Sequence, residues 1–259
     1  MKRIEDLKVV RNKRLNSEFY VLKLFSSQGI PEILPGQFAQ VRIDGSTDTF
    51  LRRPFSIYDV DYKENTLELL IKIAGKGTYK LASIETGQKL NLIYPLGNHF
   101  SKPDKPSVLL VGGGTGVAPL LILGKYLKEK YSFEIQYLLG YRCSELIVEK
   151  ERFETIGKVH ITTEDGSYGF KGLVIQHPVI SETPLSFDRV YTCGPEIMMK
   201  KVANIARKNK IECEVSVENL MGCGFGACLC CVVDTVDKGN INTCTEGPVF
   251  NIKTLKWSI

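Results

Sequence analysis

The chain has no apolar stretch approaching membrane-spanning length, no block of like charge, no internal repeat and no low-complexity tract. The first absence excludes a helical membrane span. The second excludes a nucleic-acid stripe or a basic membrane-binding tail, although the net charge is +5. That charge is scattered and reads as solvated faces. The third and fourth exclude a solenoid and a disordered linker protein. The first six residues, Met1-Lys2-Arg3-Ile4-Glu5-Asp6, turn acidic too early for a signal peptide. The expected location is therefore the cytoplasm. A 43% hydrophobic and 24% charged composition is that of an ordinary globular protein, and 259 residues suit two compact units with a small appendage.

What the chain has is cysteine. Eight cysteines in a reducing compartment are not read as a disulfide framework, and four of them crowd into residues 223–231. Cys143, Cys193 and Cys213 are dispersed and are read as small buried apolar residues. Cys223, Cys228, Cys231 and Cys244 have the spacing C-x4-C-x2-C followed by a distant cysteine. This is the plant-type 2Fe–2S arrangement, because a sulfide-bridged iron pair needs four soft thiolates and three can come from one tight loop. Gly222, Gly224 and Gly226 let that loop bend and aim amides at sulfur. A structural zinc site more commonly pairs its cysteines as C-x2-C, so zinc is the alternative. Cys230 competes with Cys231 for the third ligand place, and the x2 interval favours Cys231.

The segments 7–11, 19–25, 37–43, 55–62, 66–73 and 89–93 are rich in β-branched and aromatic residues and punctuated by turn formers. Short, closely spaced strands of this kind predict a small antiparallel barrel with a short helix at 77–83. Past the polar, proline-bearing linker 101–106 the rhythm changes to strand and helix in alternation. Strands are expected at 108–111, 134–139, 160–163 and 189–192, and helices at 118–130, 145–154 and 196–209, with an amphipathic turn at 171–177. That order predicts a parallel sheet covered by helices on both faces. From Glu212 a glycine- and cysteine-rich loop with short strand pieces is expected. The fold class is thus multi-domain β plus α/β: residues 1–102 a barrel, 103–210 a dinucleotide-binding domain and 211–259 a cluster domain.

Leu109–Pro119 is a buried strand, a glycine turn and a proline placed to open a helix. Bare amides at a helix start after a parallel strand form a phosphate site, with Gly112, Gly114, Thr115 and Gly116 as candidate contacts. A plain tight turn is the bland alternative. Cys193 and Gly194, in a second strand–turn–helix at 191–199, fall where a nicotinamide ring would lie at the carboxyl edge of the sheet. Arg142, after the second strand, could meet a ribose 2′-phosphate or be an ordinary solvated arginine. In the barrel, Arg53 offers a fork for pyrophosphate and Ser56 a hydroxyl for a flavin or phosphate oxygen. Gly75–Thr78 is a second small-residue turn, while His99 is read as a surface residue.

The runs Arg53-Pro54-Phe55-Ser56, Gly114–Pro119 and Cys193–Met198, in this order, resemble the ferredoxin-NADP-reductase superfamily. The cysteine loop and Cys244–Phe250 narrow the resemblance to the electron-transfer subunits of heteromeric NAD-dependent dihydroorotate dehydrogenase. The resemblance covers nearly the whole chain. It implies FAD held by Arg53, Pro54, Phe55, Ser56, Leu70, Ile71, Lys72, Gly77 and Thr78, and NAD as electron acceptor. It also implies an FMN-containing catalytic partner that oxidises dihydroorotate in pyrimidine biosynthesis, in a two-plus-two heterotetramer. Electrons would pass from that FMN through the cluster to FAD and leave as hydride, FAD being needed because a cluster moves one electron and nicotinamide accepts two. The rival expectation is the flavin subunit of another complex: a soluble hydrogenase, a sulfide dehydrogenase or a ferredoxin:NADP transhydrogenase.

Overall fold

The computed structural model describes residues 2–45 and 49–257. Strands β1 (Arg3–Arg14), β2 (Phe19–Phe25), β3 (Phe38–Val41), β4 (Arg53–Asp61) and β5 (Thr66–Lys72) precede helix α1 (Lys76–Ala82) and strand β6 (Lys89–Leu96). The six strands close into an antiparallel barrel in the order β1-β2-β5-β4-β3-β6. Period-two alternation decides what fills it: along β1, Glu5, Leu7 and Val9 point inward between exposed neighbours. The interior is aliphatic, with Leu22, Leu24, Ile57, Leu67, Leu69 and Ile71 all buried. The buried Glu5 carboxylate accepts hydrogen bonds from Ser26 Oγ (2.5 Å) and Tyr94 Oη (2.7 Å), which satisfies a polar group where water is absent.

The alternating half follows. It comprises β7 (Ser107–Gly113), α2 (Ala118–Tyr131), β8 (Glu134–Tyr141), α3 (Lys150–Glu154), β9 (Lys158–Thr163), β10 (Phe170–Lys171), α4 (Pro178–Ser181), β11 (Arg189–Cys193), α5 (Glu196–Lys208) and β12 (Glu212–Ser216). The C-terminal part adds a hairpin, β13 (Val232–Thr235) with β14 (Gly239–Asn242), and β15 (Val249–Asn251). One sheet runs β10-β9-β8-β7-β11-β12-β15, parallel except for β15, which pairs antiparallel with β12. Helix α2 opens with Pro119 in its first turn and closes on Ser132 in the left-handed region (φ 56°). Gly124 lets α2 lie against β8, because a β-carbon there would strike the Tyr137 hydroxyl. On α5, Met199, Val202, Ala203 and Ala206 form a helical stripe buried on the sheet.

Two expectations need correction. Residues 145–154 are not one helix: a 3-10 turn at Ser144–Leu146 gives way to extended backbone, and Glu149 (φ 39°) precedes the short α3. Leu146, Val148 and Phe153 are the buried side chains of this stretch, so packing overrides a helical composition. Nor does the pattern break at Glu212. Residues 212–216 are a strand of the parallel sheet, registered residue for residue with β11. Cys143 is half-buried, whereas Cys193 and Cys213 are fully buried.

The barrel and the sheet are joined by a charge cluster. Arg152, in the middle of α3, reaches Asp59 on β4 (2.6 Å), Glu68 on β5 (2.6 Å) and Glu149 (2.9 Å), with its guanidinium over the Tyr58 ring. Lys13 binds Glu149 and Lys125 binds Asp59. A planar guanidinium with several donors serves three carboxylates in a way that a lysine cannot.

Candidate functional site

Two cavities and a thiol loop meet where barrel, sheet and C-terminal segment converge. The first, a cleft of about 390 Å³, draws its walls from all three. Pro54, Phe55 and Ser56 on β4 and Leu70 and Lys72 on β5 face Thr115 and Ala118 of the glycine turn, and residues 216–219 with Met221 close it. Its position follows from strand alternation. Leu70 and Lys72 point to the cleft, while Ile71 between them points into the barrel with 0% exposure. Arg53 lies beside the cleft without lining it, and its Nη1 donates to the carbonyls of Leu51 (2.9 Å) and Arg52 (3.4 Å). Thr78 lines the cleft, with its hydroxyl accepting from the amides of Ala74 (2.8 Å) and Gly75 (3.1 Å). Gly77 is buried behind it, where a β-carbon would sit 2.7 Å from Ile43.

The second cavity, about 370 Å³, lies on the other side of the glycine turn. Gly113 and Gly114 form its floor beside Pro195, Ile197 and Met198, and it extends past the carboxyl ends of β8 and β9. This is the edge of an open α/β sheet at which dinucleotides bind. Of the glycines, Gly114 (φ 56°) faces open space, whereas a β-carbon on Gly112 would press on Val117 and Leu120. Gly116 has a role that spacing did not reveal: the carbonyl of Cys193 occupies the place of its missing side chain. Cys193 and Gly194 line neither cavity. The Cys193 thiol is buried next to Ser216, and burial drives its pKa far above the ordinary thiol value.

The cysteine loop abuts the first cleft through Met221. Its turns use Gly224 (φ 81°) and Gly226 (φ 93°), both in the left-handed region that glycine tolerates. Gly224 also packs directly on the buried Gln40 of β3, fastening the loop to the barrel. The Cys223 sulfur accepts from the amides of Phe225 (3.5 Å), Ala227 (3.2 Å) and Cys228 (3.4 Å), and the Cys228 sulfur accepts from the Cys223 amide (3.4 Å). The backbone amides of Cys223 and Cys230, with hydrogen bonds from the thiols of Cys230 and Cys223, lower the pKa of Cys228 to about 6. Cys231 and Cys244 form a second pair, buried against Phe38 and Leu96, and burial raises Cys244 to about 12. Two thiol pairs, one solvent-facing and one buried, match the demand of a two-iron cluster for two thiolates per iron. Among the described residues, no three His, Cys, Asp or Glu side chains gather round a single metal-ion position. Cys230 is exposed beside the first pair: its sulfur accepts from the Gly222 amide (3.2 Å) and is hydrogen-bonded to the Cys228 sulfur (3.4 Å).

Sequence reasoning missed Glu218, Asn219 and Glu164. Glu218 lines the first cleft, where Thr115 Oγ1 donates to it at 3.4 Å, and crowding by the surrounding protein raises its pKa above the ordinary glutamate value. Nothing in the local sequence marks it. Only the approach of β12 to the glycine turn does so.

Residues 6–100 match the model of the oxidoreductase FAD-binding domain, and residues 110–204 that of the oxidoreductase NAD-binding domain. Residues 218–256 match the iron–sulfur cluster binding domain of dihydroorotate dehydrogenase B. Fold and site thus define a flavin- and NAD-dependent oxidoreductase with an iron–sulfur domain. The "dihydroorotate dehydrogenase B (NAD(+)), electron transfer subunit" of Caldanaerobacter subterraneus subsp. tengcongensis is 39% identical over 246 residues, 94% of each chain. The protein of the same name from Shouchella clausii is 40% identical over 225 residues, covering 84% of this chain and 85% of its own. The chain belongs to the family of dihydroorotate dehydrogenase B electron-transfer subunits. Among solved structures, a NADH-dependent reduced ferredoxin-NADP oxidoreductase superposes with a TM-score of 0.87 at 30% identity, covering 97% of this chain and 90% of that one. No helix among the described residues is long and apolar enough to cross a membrane.

Proposed function

We propose that this chain carries electrons from a dihydroorotate-oxidising, FMN-containing partner to NAD⁺, with a 2Fe–2S cluster and FAD of its own between them. The observation that carries this reading is the shared cleft, whose walls come from the barrel, the glycine turn and the start of the cysteine loop. A flavin bound in it would lie between the thiol loop and the dinucleotide cavity. When bound, FAD supplies the step from single electrons to hydride.

The chain's own residues divide the work. Cys223, Cys228, Cys231 and Cys244 hold the cluster, with the amides of residues 225, 227 and 228 directed at Cys223. Ser56, Leu70, Lys72 and Thr78, with the backbone from Arg53 to Phe55, hold the flavin. Arg53, beside the cleft, would meet its pyrophosphate, and Ile71 and Gly77 would support the wall from behind. The amides of Gly114 to Gly116 take the pyrophosphate of NAD. Gly112 and Gly194 shape that turn, and Cys193 fixes it through its carbonyl. The working units are 1–102, 103–210 and 211–259, the last tied to the second through β12, which pairs with β11. The assembly is two plus two with the partner, in the cytoplasm.

The test is to co-express the full chain with its partner subunit and measure dihydroorotate-dependent reduction of NAD⁺. We expect activity, with flavin and iron–sulfur bands in the spectrum of the isolated chain. A flavin- and iron-loaded complex that leaves dihydroorotate untouched would overturn the reading. The superposition on a ferredoxin-NADP oxidoreductase favours a second reading, in which reduced ferredoxin is the electron source. Reduction of NAD⁺ by ferredoxin, with dihydroorotate inert, would identify it.

A further inference from the structure

The dinucleotide cavity extends away from the glycine turn toward the ends of β8 and β9, so the adenosine half of a bound dinucleotide lies there. At that end the wall carries Arg142, just past β8, and Glu164, just past β9. An arginine in this place is a natural partner for a ribose 2′-phosphate, through charge-assisted bonds from its planar fork. Here it is already engaged. Glu18, the barrel residue preceding β2, lines the same cavity and pairs with the Arg142 guanidinium. The same carboxylate pairs with Lys72 at 3.0 Å. Two cations that could serve a phosphate, Arg142 of the sheet unit and Lys72 of the barrel, are thus both drawn to one barrel carboxylate. Lys201 lies toward the opposite end, on α5 one turn beyond Ile197.

We infer that Glu18 is a specificity-determining residue: by occupying Arg142, it makes the cavity take an unphosphorylated ribose and reject a 2′-phosphate. Glu164 faces the same space and adds a negative charge. A ribose hydroxyl is tolerated beside that carboxylate, whereas a phosphate meets a like charge and no free fork. The selection is made across the junction between barrel and sheet, because neither unit alone contains both members of the pair. The inference rests on the reading that this cavity holds the adenosine half of NAD.

The test compares binding of 5′-AMP and its 2′-phosphorylated form, 2′,5′-ADP, to the full chain by calorimetry at fixed ionic strength. The readout is the ratio of their dissociation constants, which cancels general damage to the cavity. Glu18→Gln should shift that ratio about tenfold or more toward the 2′-phosphate, the size of one gained charge-assisted contact. Adding Arg142→Ala to Glu18→Gln should return most of the shift, which separates a freed arginine from mere loss of negative charge. An unchanged ratio in Glu18→Gln, or a shift that survives removal of Arg142, overturns the inference while leaving the NAD site intact. Failure of 5′-AMP to bind the unsubstituted chain, or to compete with NAD⁺, overturns the reading of the cavity and the inference with it.

Discussion

The main-chain carbonyl of Cys193 fills the space that a side chain on Gly116 would need. The glycine turn after β7 and the end of β11 are therefore in direct backbone contact, and the Gly114–Pro119 and Cys193–Met198 runs are two halves of one wall.

Gly116→Ala should push these halves apart. The expected cost is about 1–3 kcal/mol of stability, the usual price of overpacking, with at least a tenfold loss of NAD⁺ affinity. Gly114→Ala meets no atom but must hold a positive φ (56°), so its cost should be nearer 1–2 kcal/mol. Urea unfolding and NAD⁺ titration on both variants check the order.

Burial separates Cys230 from its neighbour. Cys231 is buried with Cys244, while Cys230 is exposed beside Cys228. Cys230→Ser should keep full iron content and the cluster signal on reduction. Cys231→Ser should lose both while retaining flavin. Iron analysis and electron paramagnetic resonance of the reduced chain decide it. A cluster lost from Cys230→Ser but kept in Cys231→Ser would reverse the ligand assignment.

Arg152 is the centre of the junction between barrel and sheet. Its replacement by Ala leaves Asp59, Glu68 and Glu149 facing one another with little solvent, since Glu68 and Glu149 side chains are only 10% and 9% exposed. Losing the cation from a buried pair costs about 3–5 kcal/mol. Arg152 is itself 28% exposed, so we expect about 2–3 kcal/mol after allowing for solvent screening. Restoring charge with Lys should recover only part, because one ammonium cannot serve three carboxylates.

The same junction sets an acid limit. Burial raises the pKa of Glu149, but Lys13 and Arg152 outweigh it, and the net shift is below the ordinary 4.5. A carboxyl whose folded pKa is depressed stabilises the fold fully above its unfolded pKa and loses that contribution as pH falls through the folded value. Stability should therefore hold near neutrality and decline below about pH 4.5, with Glu149→Gln showing a shallower decline. Thermal unfolding between pH 3 and 7 measures this, and parallel slopes for both proteins would contradict it.

Much of the fold was legible because its signals are local. The barrel strands alternate at period two, and the glycine turn, Pro119 and the apolar run of β7 are contiguous. The broken stretch 145–154 was illegible because Glu149 adopts a positive φ beside Arg152 and Lys13, the latter far away in the chain. The strand at 212–216 was hidden by its glutamates. Glu214 is buried, accepting from the Ser101 amide (2.9 Å) and hydroxyl (2.6 Å), so its charge did not mark exposure.

The amino-acid sequence by itself determined which chemistry the chain could carry. Four thiols at set intervals, a glycine turn opening a helix and a barrel strand with arginine and serine are short-range patterns, readable because ligand spacing and backbone freedom are local properties. Only the tertiary structure decided how these pieces meet. It put Leu70 and Lys72 in the cleft and Ile71 in the core, set the Cys193 carbonyl against Gly116, and placed Glu18 on Arg142. Those are contacts between segments far apart in sequence, and no local pattern encodes which partners packing will bring together.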